Sequence, residues 1–82
     1  MEQSKQIGKL LNDLQSKDSF VRNTAAENLG KLKTSDEQVI RILKIVSESD
    51  ENKYVRQTAT SALKKMGIFI GSNNVYFLSG IL

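Results

Sequence analysis

The chain has 82 residues, a length that accommodates one domain. Cysteine and histidine are both absent, which removes disulfides, the commonest general base and the usual zinc ligands, so we expect no catalytic site, no metal and no cofactor. The net charge of +3 comes from 12 basic and 9 acidic residues interspersed along the sequence, a pattern that does not indicate a dedicated nucleic-acid-binding protein.

The sequence carries no sign of export or membrane insertion. Residues 1–11 lack a basic stretch followed by an apolar run and a small-residue cleavage site. No stretch reaches the roughly 18 apolar residues that a membrane span requires. We therefore expect a soluble, cytoplasmic protein.

The first half of the chain predicts two helices. From Lys5, apolar residues recur at i, i+3, i+4 and i+7, which places one apolar stripe on a helix: Ile7, Leu10, Leu11 and Leu14. A second helix follows Asp18, whose carboxylate can accept hydrogen bonds from the free amides of the first turn. The core face of this helix consists of Val21, Ala25, Leu29 and Leu32. Lys31 and Lys33 in its last turn suit the negative end of the helix dipole.

The second half of the chain predicts two more helices. Ser35 and Gln38 form a capping-box pattern, with acidic residues between them, and an apolar stripe follows at Val39, Ile42, Leu43 and Val46. Asn52 then stands before the fourth helix as Asp18 stands before the second. The core face of the fourth helix consists of Val55, Ala59, Leu63 and Met66. Gly67 can adopt the left-handed conformation that ends a helix.

The two halves repeat one another at a spacing of 34 residues. Residues 20–32 and 54–66 share six identities in thirteen positions. The alanines of the second and fourth helices allow close helix packing, because small side chains shorten the interaxial distance. The sequence therefore predicts a single all-α domain over residues 1–82 made of two stacked helical hairpins, with repeat 1 at about 5–33, repeat 2 at about 35–67 and a tail at 68–82.

The repeated unit, D-x-x-V-R-x-x-A-x-x-x-L, resembles the HEAT repeat and especially the short HEAT-like subtype of the phycobilisome-lyase family. Residues 18–32 match the motif nearly completely. In the second copy Asn52 replaces the Asp, Thr60 replaces the second Ala and Lys64 replaces the Gly. The resemblance covers residues 5–67 and implies an α-solenoid.

The resemblance also implies a structural ladder. In such repeats the turn Asp and the following Arg usually bond to each other and across to neighbouring repeats. The corresponding pairs are Asp18 with Arg22 and Asn52 with Arg56. We expect these four residues to serve the stacking of repeats rather than ligand binding.

The tail lacks any charged residue and contains Phe69, Tyr76 and Phe77. One possibility is a helix that begins near Ser72 or Asn73 and caps the open flank of the second repeat. Another is a pair of short strands around residues 71–74. The third is an exposed apolar interface for self-association or for a partner. Of these we favour capping.

For function, the pattern predicts a small, non-catalytic protein-binding scaffold. Solenoids present the outward residues of successive helices on one concave surface, which here would consist of Asn23, Glu27, Lys31, Gln57, Ser61 and Lys65. One alternative is binding of a nucleic-acid backbone through basic helix ends at Lys31, Lys33, Lys64 and Lys65. Another is an accessory subunit of a phycobilisome-lyase-like assembly. Acidic residues 48–51 lie in a polar turn without an apolar pocket, so we expect no enzyme activity there.

Overall fold

The computed structural model describes residues 2–68, which form four helices and no strand. These are α1 (Glu2–Asp13), α2 (Ser19–Leu32), α3 (Glu37–Ser49) and α4 (Lys53–Lys65). Helices α1 and α2 form one hairpin, α3 and α4 form the next, and the main interface between the hairpins joins α2 to α4. The predicted all-α stack of two helical hairpins is confirmed. The start of α1 was predicted three residues too late, because its polar first turn carries no apolar signal.

The core lies where the two hairpins meet. Leu29 and Leu63, which occupy equivalent positions in the two repeats, are completely buried, as are Val39 and Leu43 of α3. Burial of these aliphatic side chains is the main source of stability in a fold of this size.

Small residues bring α2 and α4 unusually close together. Ala26 is fully buried, and a Cβ atom added to Gly30 would lie 2.8 Å from the Cα and Cβ of Ala62. That distance leaves no room for a side chain at position 30. The stacking of the repeats therefore depends on glycine at this position.

Side-chain caps define where the helices start. Asp18 Oδ1 accepts a hydrogen bond from Phe20 N at 2.8 Å, and Asn52 Oδ1 accepts one from Tyr54 N at 2.8 Å. The predicted cap at Ser35 is wrong, since Asp36 is the N-cap of α3 and accepts from the amides of the two residues after Glu37. The Asp36 carboxylate accepts from two free amides at the positive end of the helix, which a hydroxyl one residue earlier does not do.

The C-terminal end of α4 has the predicted glycine signal. Gly67 has φ of 83° and donates its N–H to Lys64 O, and Ile68 N donates to Leu63 O at 2.8 Å. These two bonds form a Schellman motif, which favours glycine at the left-handed position. Ile68 packs against the core, which anchors the chain beyond α4 to the second hairpin.

The predictions for the tail fall mostly on residues that the structure does not describe. Residues 69–82, including Phe69, Tyr76 and Phe77, lie outside the described residues, so capping by the tail and self-association through it remain predictions. The open flank of the second repeat, which such a cap would cover, is only partly apolar. Ile45 of α3 is 54% exposed, but the outer side of α4 carries Arg56, Thr60 and Lys64.

Candidate functional site

Five of the six residues predicted for the concave face line one open groove between α2 and α4. This α2–α4 groove has a volume of about 430 Å³ and is lined by Asn23, Glu27, Gln57, Thr58, Ser61, Ala62 and Lys65. Lys31 does not line it. The five residues meet because they recur every four positions on two helices that Gly30 and Ala62 hold close together.

The α2–α4 groove is polar and carries charges of both signs. Glu27 and Lys65 are exposed, and neither forms an ion pair with another residue in the range 2–68. Both charges are therefore available to a molecule lying in the groove. A polar groove of this kind suits a peptide segment better than an apolar small molecule.

A pair of exposed aromatic side chains lies beside this groove. Phe20 is 74% exposed and Tyr54 is 65% exposed. They line a notch of about 210 Å³ together with Ser19, Asn23, Asn52 and Val55, which we call the aromatic notch. Sequence reasoning missed this feature, although its signal was present: an aromatic residue precedes the Val-Arg pair in both repeats.

Asn23 lines both the α2–α4 groove and the aromatic notch. Its Oδ1 atom is buried and accepts no hydrogen bond from any described residue. A buried acceptor without a donor is costly. Asn23 thus joins the two surfaces, and its Oδ1 atom is not exposed to a ligand in this conformation.

The structural ladder forms, but with a different carboxylate from the one predicted. Arg22 is 8% exposed, and its Nε and Nη2 donate to the two carboxylate oxygens of Asp50 at 2.9 and 3.1 Å. Arg22 Nη1 also donates to the carbonyls of Ser16 and Lys17. The predicted Asp18–Arg22 bond is wrong, because the Asp18 carboxylate caps α2 instead.

The Arg22–Asp50 pair ties the first hairpin to the turn of the second. Burial alone would raise the pKa of the Asp50 carboxyl. The hydrogen bonds from Arg22 and from Asn52 N–H, with the charges of Arg22 and Arg56, outweigh that effect and hold its pKa below its usual range. The hydrogen bond to Asp50 in turn raises the pKa of the Arg22 guanidinium above its usual value. Both groups are accordingly ionised at neutral pH.

The second predicted ladder pair, Asn52 with Arg56, does not bond. Asn52 is occupied as the N-cap of α4, and Arg56 Nη1 donates to the backbone carbonyl of Asp50. An amide that accepts two backbone N–H groups has no oxygen lone pair favourably placed for the guanidinium as well. Arg56 is half-buried, unlike Arg22.

The basic helix ends do not form one surface. Lys65 lines the α2–α4 groove, whereas Lys64 lines a separate groove on the outer side of α4. Adjacent helical residues point about 100° apart, which explains the separation. Nucleic-acid binding through Lys31, Lys33, Lys64 and Lys65 stays a prediction, with Lys64 and Lys65 facing different grooves.

Residues 2–68 contain neither a cluster of metal ligands nor a membrane-spanning helix. No group of three or more acidic side chains there is arranged to hold a metal ion. No helix in that range is long and apolar enough to cross a membrane.

Comparison with known protein families gives a match over most of the chain. The family model described as HEAT repeats matches residues 3–64. The match includes all four helices except Glu2 at the start of α1 and Lys65 at the end of α4. Comparison with curated proteins and with solved structures finds no similar protein. With its two helical hairpins, its close α2–α4 contact and this match, the chain belongs to the HEAT-repeat family.

Proposed function

We propose that this chain is a non-catalytic protein-binding scaffold whose binding surface combines the α2–α4 groove with the aromatic notch. The observation that carries the proposal is that Asn23 lines both, so the predicted polar residues and the exposed aromatic pair adjoin one another. HEAT repeats are commonly protein-interaction scaffolds, which agrees with this role.

The aromatic notch would supply most of the binding energy. Phe20 and Tyr54 expose most of their side-chain surface, and full burial of such a side chain contributes about 1.5–3 kcal/mol. Exposed aromatic residues are enriched among the hot spots of protein interfaces. A partner would place an apolar side chain in the notch, against Phe20 and Tyr54.

The polar groove would supply orientation and selectivity. Glu27 lies on α2 and Lys65 on α4, so a bound segment meets one negative and one positive charge. Charges at such positions discriminate between partners more than they add affinity. The partner segment we propose therefore has an apolar anchor followed by polar residues of both charge signs.

The resemblance over residues 18–32 extends this proposal to a subtype. We infer that the chain belongs to the short HEAT-like subtype of the phycobilisome-lyase family, on the strength of Asp18, Val21, Arg22, Ala25 and Leu29 in the motif. In an accessory role of that kind, the same groove would bind a chromophore-carrying protein.

The proposal is tested with peptides selected from a random display library on the full chain. Their affinities are then measured by fluorescence anisotropy for the wild type, for Phe20→Ser with Tyr54→Ser, and for Ile45→Ser. Ile45 is the matched control because it is an exposed apolar residue on α3. We expect the aromatic double variant to weaken binding by about 100-fold and Ile45→Ser by less than about twofold.

Two results would count against the proposal. One is equal loss of peptide binding in the aromatic variant and in Ile45→Ser. The other is retention of a DNA duplex that decreases steeply with salt and disappears in Lys64→Glu with Lys65→Glu, which would favour nucleic-acid binding instead.

A further inference from the structure

The two ladder arginines share a local anchor but differ in what they bind beyond it. Arg22 Nη1 donates to Ser16 O, and Arg56 Nη1 donates to Asp50 O, which stands at the equivalent place in the second repeat. The Nε and Nη2 groups of Arg22 bind the Asp50 carboxylate. Within residues 2–68, the Nε and Nη2 groups of Arg56 have no hydrogen-bond acceptor. Among the described residues, one copy of the site is filled and the other is open.

The surroundings of Arg56 are basic. It lines an open groove of about 510 Å³ on the outer side of α4, which we call the outer groove, with Ser47, Lys53, Gln57, Thr60, Ser61 and Lys64. Besides Arg56, two of the lining residues are cations, Lys53 and Lys64, and none is a carboxylate. Asp50, whose carboxyl pKa is lowered in part by the charge of Arg56, already gives both oxygens to Arg22, and residues 69–82 contain no Asp or Glu.

We propose that Arg56 is a receptor site for a carboxylate side chain of a partner protein. The partner's Asp or Glu would accept from Arg56 Nε and Nη2 as Asp50 accepts from those atoms of Arg22. Planar guanidinium groups bind carboxylates in this bidentate way with good geometric selectivity. Lys53 and Lys64 add positive charge on either side, which favours an acidic segment.

The occupant is not a second copy of this chain stacked head to tail. Such a copy would bring Ser16 to Arg56, because Ser16 is the equivalent of Asp50 in the first repeat. It would also set Lys64 against Asn28. The equivalent contact within the chain is that of Gly30 with Ala62, which leaves no space for a Cβ atom on Gly30. These contacts therefore favour an acidic segment of a different protein. Its Asp or Glu side chains, which are longer than that of serine, would reach Arg56 across the outer groove.

This site is separate from the proposed function. Gln57 and Ser61 line both the outer groove and the α2–α4 groove, so the two surfaces adjoin on α4, but Arg56 and Lys64 line the outer groove and not the α2–α4 groove. Lys53 Nζ lies 5.6 Å from the centre of the Tyr54 ring, so the matched variant keeps Tyr54. Phe20→Ser alone should weaken binding at the aromatic notch and bind an acidic probe as well as the wild type does. A failure of one proposal is thus distinguishable from a failure of the other.

The experiment uses the three arginines of the full chain, Arg22, Arg41 and Arg56, as internal reporters. Their Nε–H resonances are followed by NMR while a capped hexaglutamate peptide is added, with hexaglutamine as the neutral match. We expect the Arg56 resonance to shift and saturate, while those of buried Arg22 and exposed Arg41 stay unchanged. Hexaglutamine should shift none of them.

Variants then measure what the guanidinium contributes. We expect Arg56→Gln to weaken hexaglutamate binding about tenfold or more, since a charged, bidentate contact is lost. Arg56→Lys should recover only a small part of that affinity, because lysine keeps the charge but not the planar pair of donors. Arg41→Gln removes the same charge elsewhere and should change the affinity by less than about twofold. Thermal unfolding of each variant shows whether it is folded.

Three outcomes would overturn the proposal. In the first, Arg41→Gln weakens binding as much as Arg56→Gln, which would show diffuse attraction to net charge. In the second, inorganic phosphate or a DNA duplex shifts the Arg56 resonance at lower concentration than hexaglutamate does, which would make the site a phosphate receptor. In the third, hexaglutamate leaves the Arg56 resonance unchanged.

Discussion

Helices α2 and α4 come from the same repeated sequence but face different surroundings. The stripe of α2 that packs on α4 consists of Arg22, Ala26 and Gly30, all of them buried. The equivalent stripe of α4 consists of Arg56, Thr60 and Lys64, which are half-buried or exposed. The shared motif therefore specifies a hairpin. Whether another helix can stack on that hairpin depends on two further positions, which hold Ala26 and Gly30 in α2 but Thr60 and Lys64 in α4.

The difference has a simple steric and electrostatic basis. Gly30 lets α2 approach α4 so closely that only a hydrogen atom fits between the Cα atom of Gly30 and Ala62. Lys64 places a long, charged side chain at the equivalent position of α4. A polar outer face of this kind is typical of the terminal repeat of a solenoid.

The largest expected effect tests what the repeats have in common. Leu29→Ala and Leu63→Ala should each lower the free energy of unfolding by about 2–5 kcal/mol, because both leave a cavity in a small core. Urea denaturation followed by circular dichroism measures the loss, with Ile45→Ala as the exposed control. A midpoint unchanged by either leucine variant would contradict the assignment of these faces to the core.

The next effect tests where the repeats diverge. Gly30→Ala should destabilise the chain by about 1–3 kcal/mol, because the added methyl group forces α2 and α4 apart. Lys64→Ala, at the equivalent position of α4, should change the stability by less than about 0.5 kcal/mol. Equal effects in the same denaturation experiment would mean that the two helices have similar surroundings.

A smaller effect concerns the filled copy of the arginine site and its dependence on pH. The pKa of Asp50 is depressed in the folded chain, so the unfolded chain takes up the proton first as the pH falls. The stability that Asp50 contributes is therefore fully present above about pH 4 and is lost at lower pH. Asp50→Asn should lower the unfolding midpoint at pH 7 and flatten its decline below pH 4.

Glu51→Gln is the matched control for this prediction, since Glu51 is the adjacent, exposed carboxylate. Thermal unfolding between pH 2 and pH 7 should give the wild-type pH dependence for this variant. If Asp50→Asn shows the same acid-induced loss as the wild type, the Arg22–Asp50 pair does not stabilise the stack.

The smallest expected effect is a weak association between copies of the chain. The contact between the two repeats should be reproduced between the second repeat of one copy and the first repeat of the next by four combined substitutions: Ser16→Asp, Asn28→Ala, Thr60→Ala and Lys64→Gly. Ser16 Oγ already accepts from Asp18 N as Asp50 Oδ1 accepts from Asn52 N, so the aspartate has an equivalent place. We expect concentration-dependent, head-to-tail association above that of the wild type, measured by size exclusion with light scattering. The variant that keeps Lys64 should not show it.

The sequence by itself determined the four helices and the hairpin repeat. These follow from local rules: apolar spacing, caps such as Asp18 and Asn52, and the left-handed Gly67. The solenoid resemblance predicted five of the residues that line the α2–α4 groove but also Lys31, which does not line it. The one wrong cap, Ser35 in place of Asp36, is itself a local choice between neighbouring residues that both favour a helix start.

Only the tertiary structure decided the partner of Arg22, the exposure of Phe20 and Tyr54, and the open state of Arg56. Asp50 is 28 residues from Arg22, and no spacing rule connects an arginine on α2 with the turn before α4. The same motif therefore has two outcomes in one chain, because what each arginine binds depends on which surface folding brings against it.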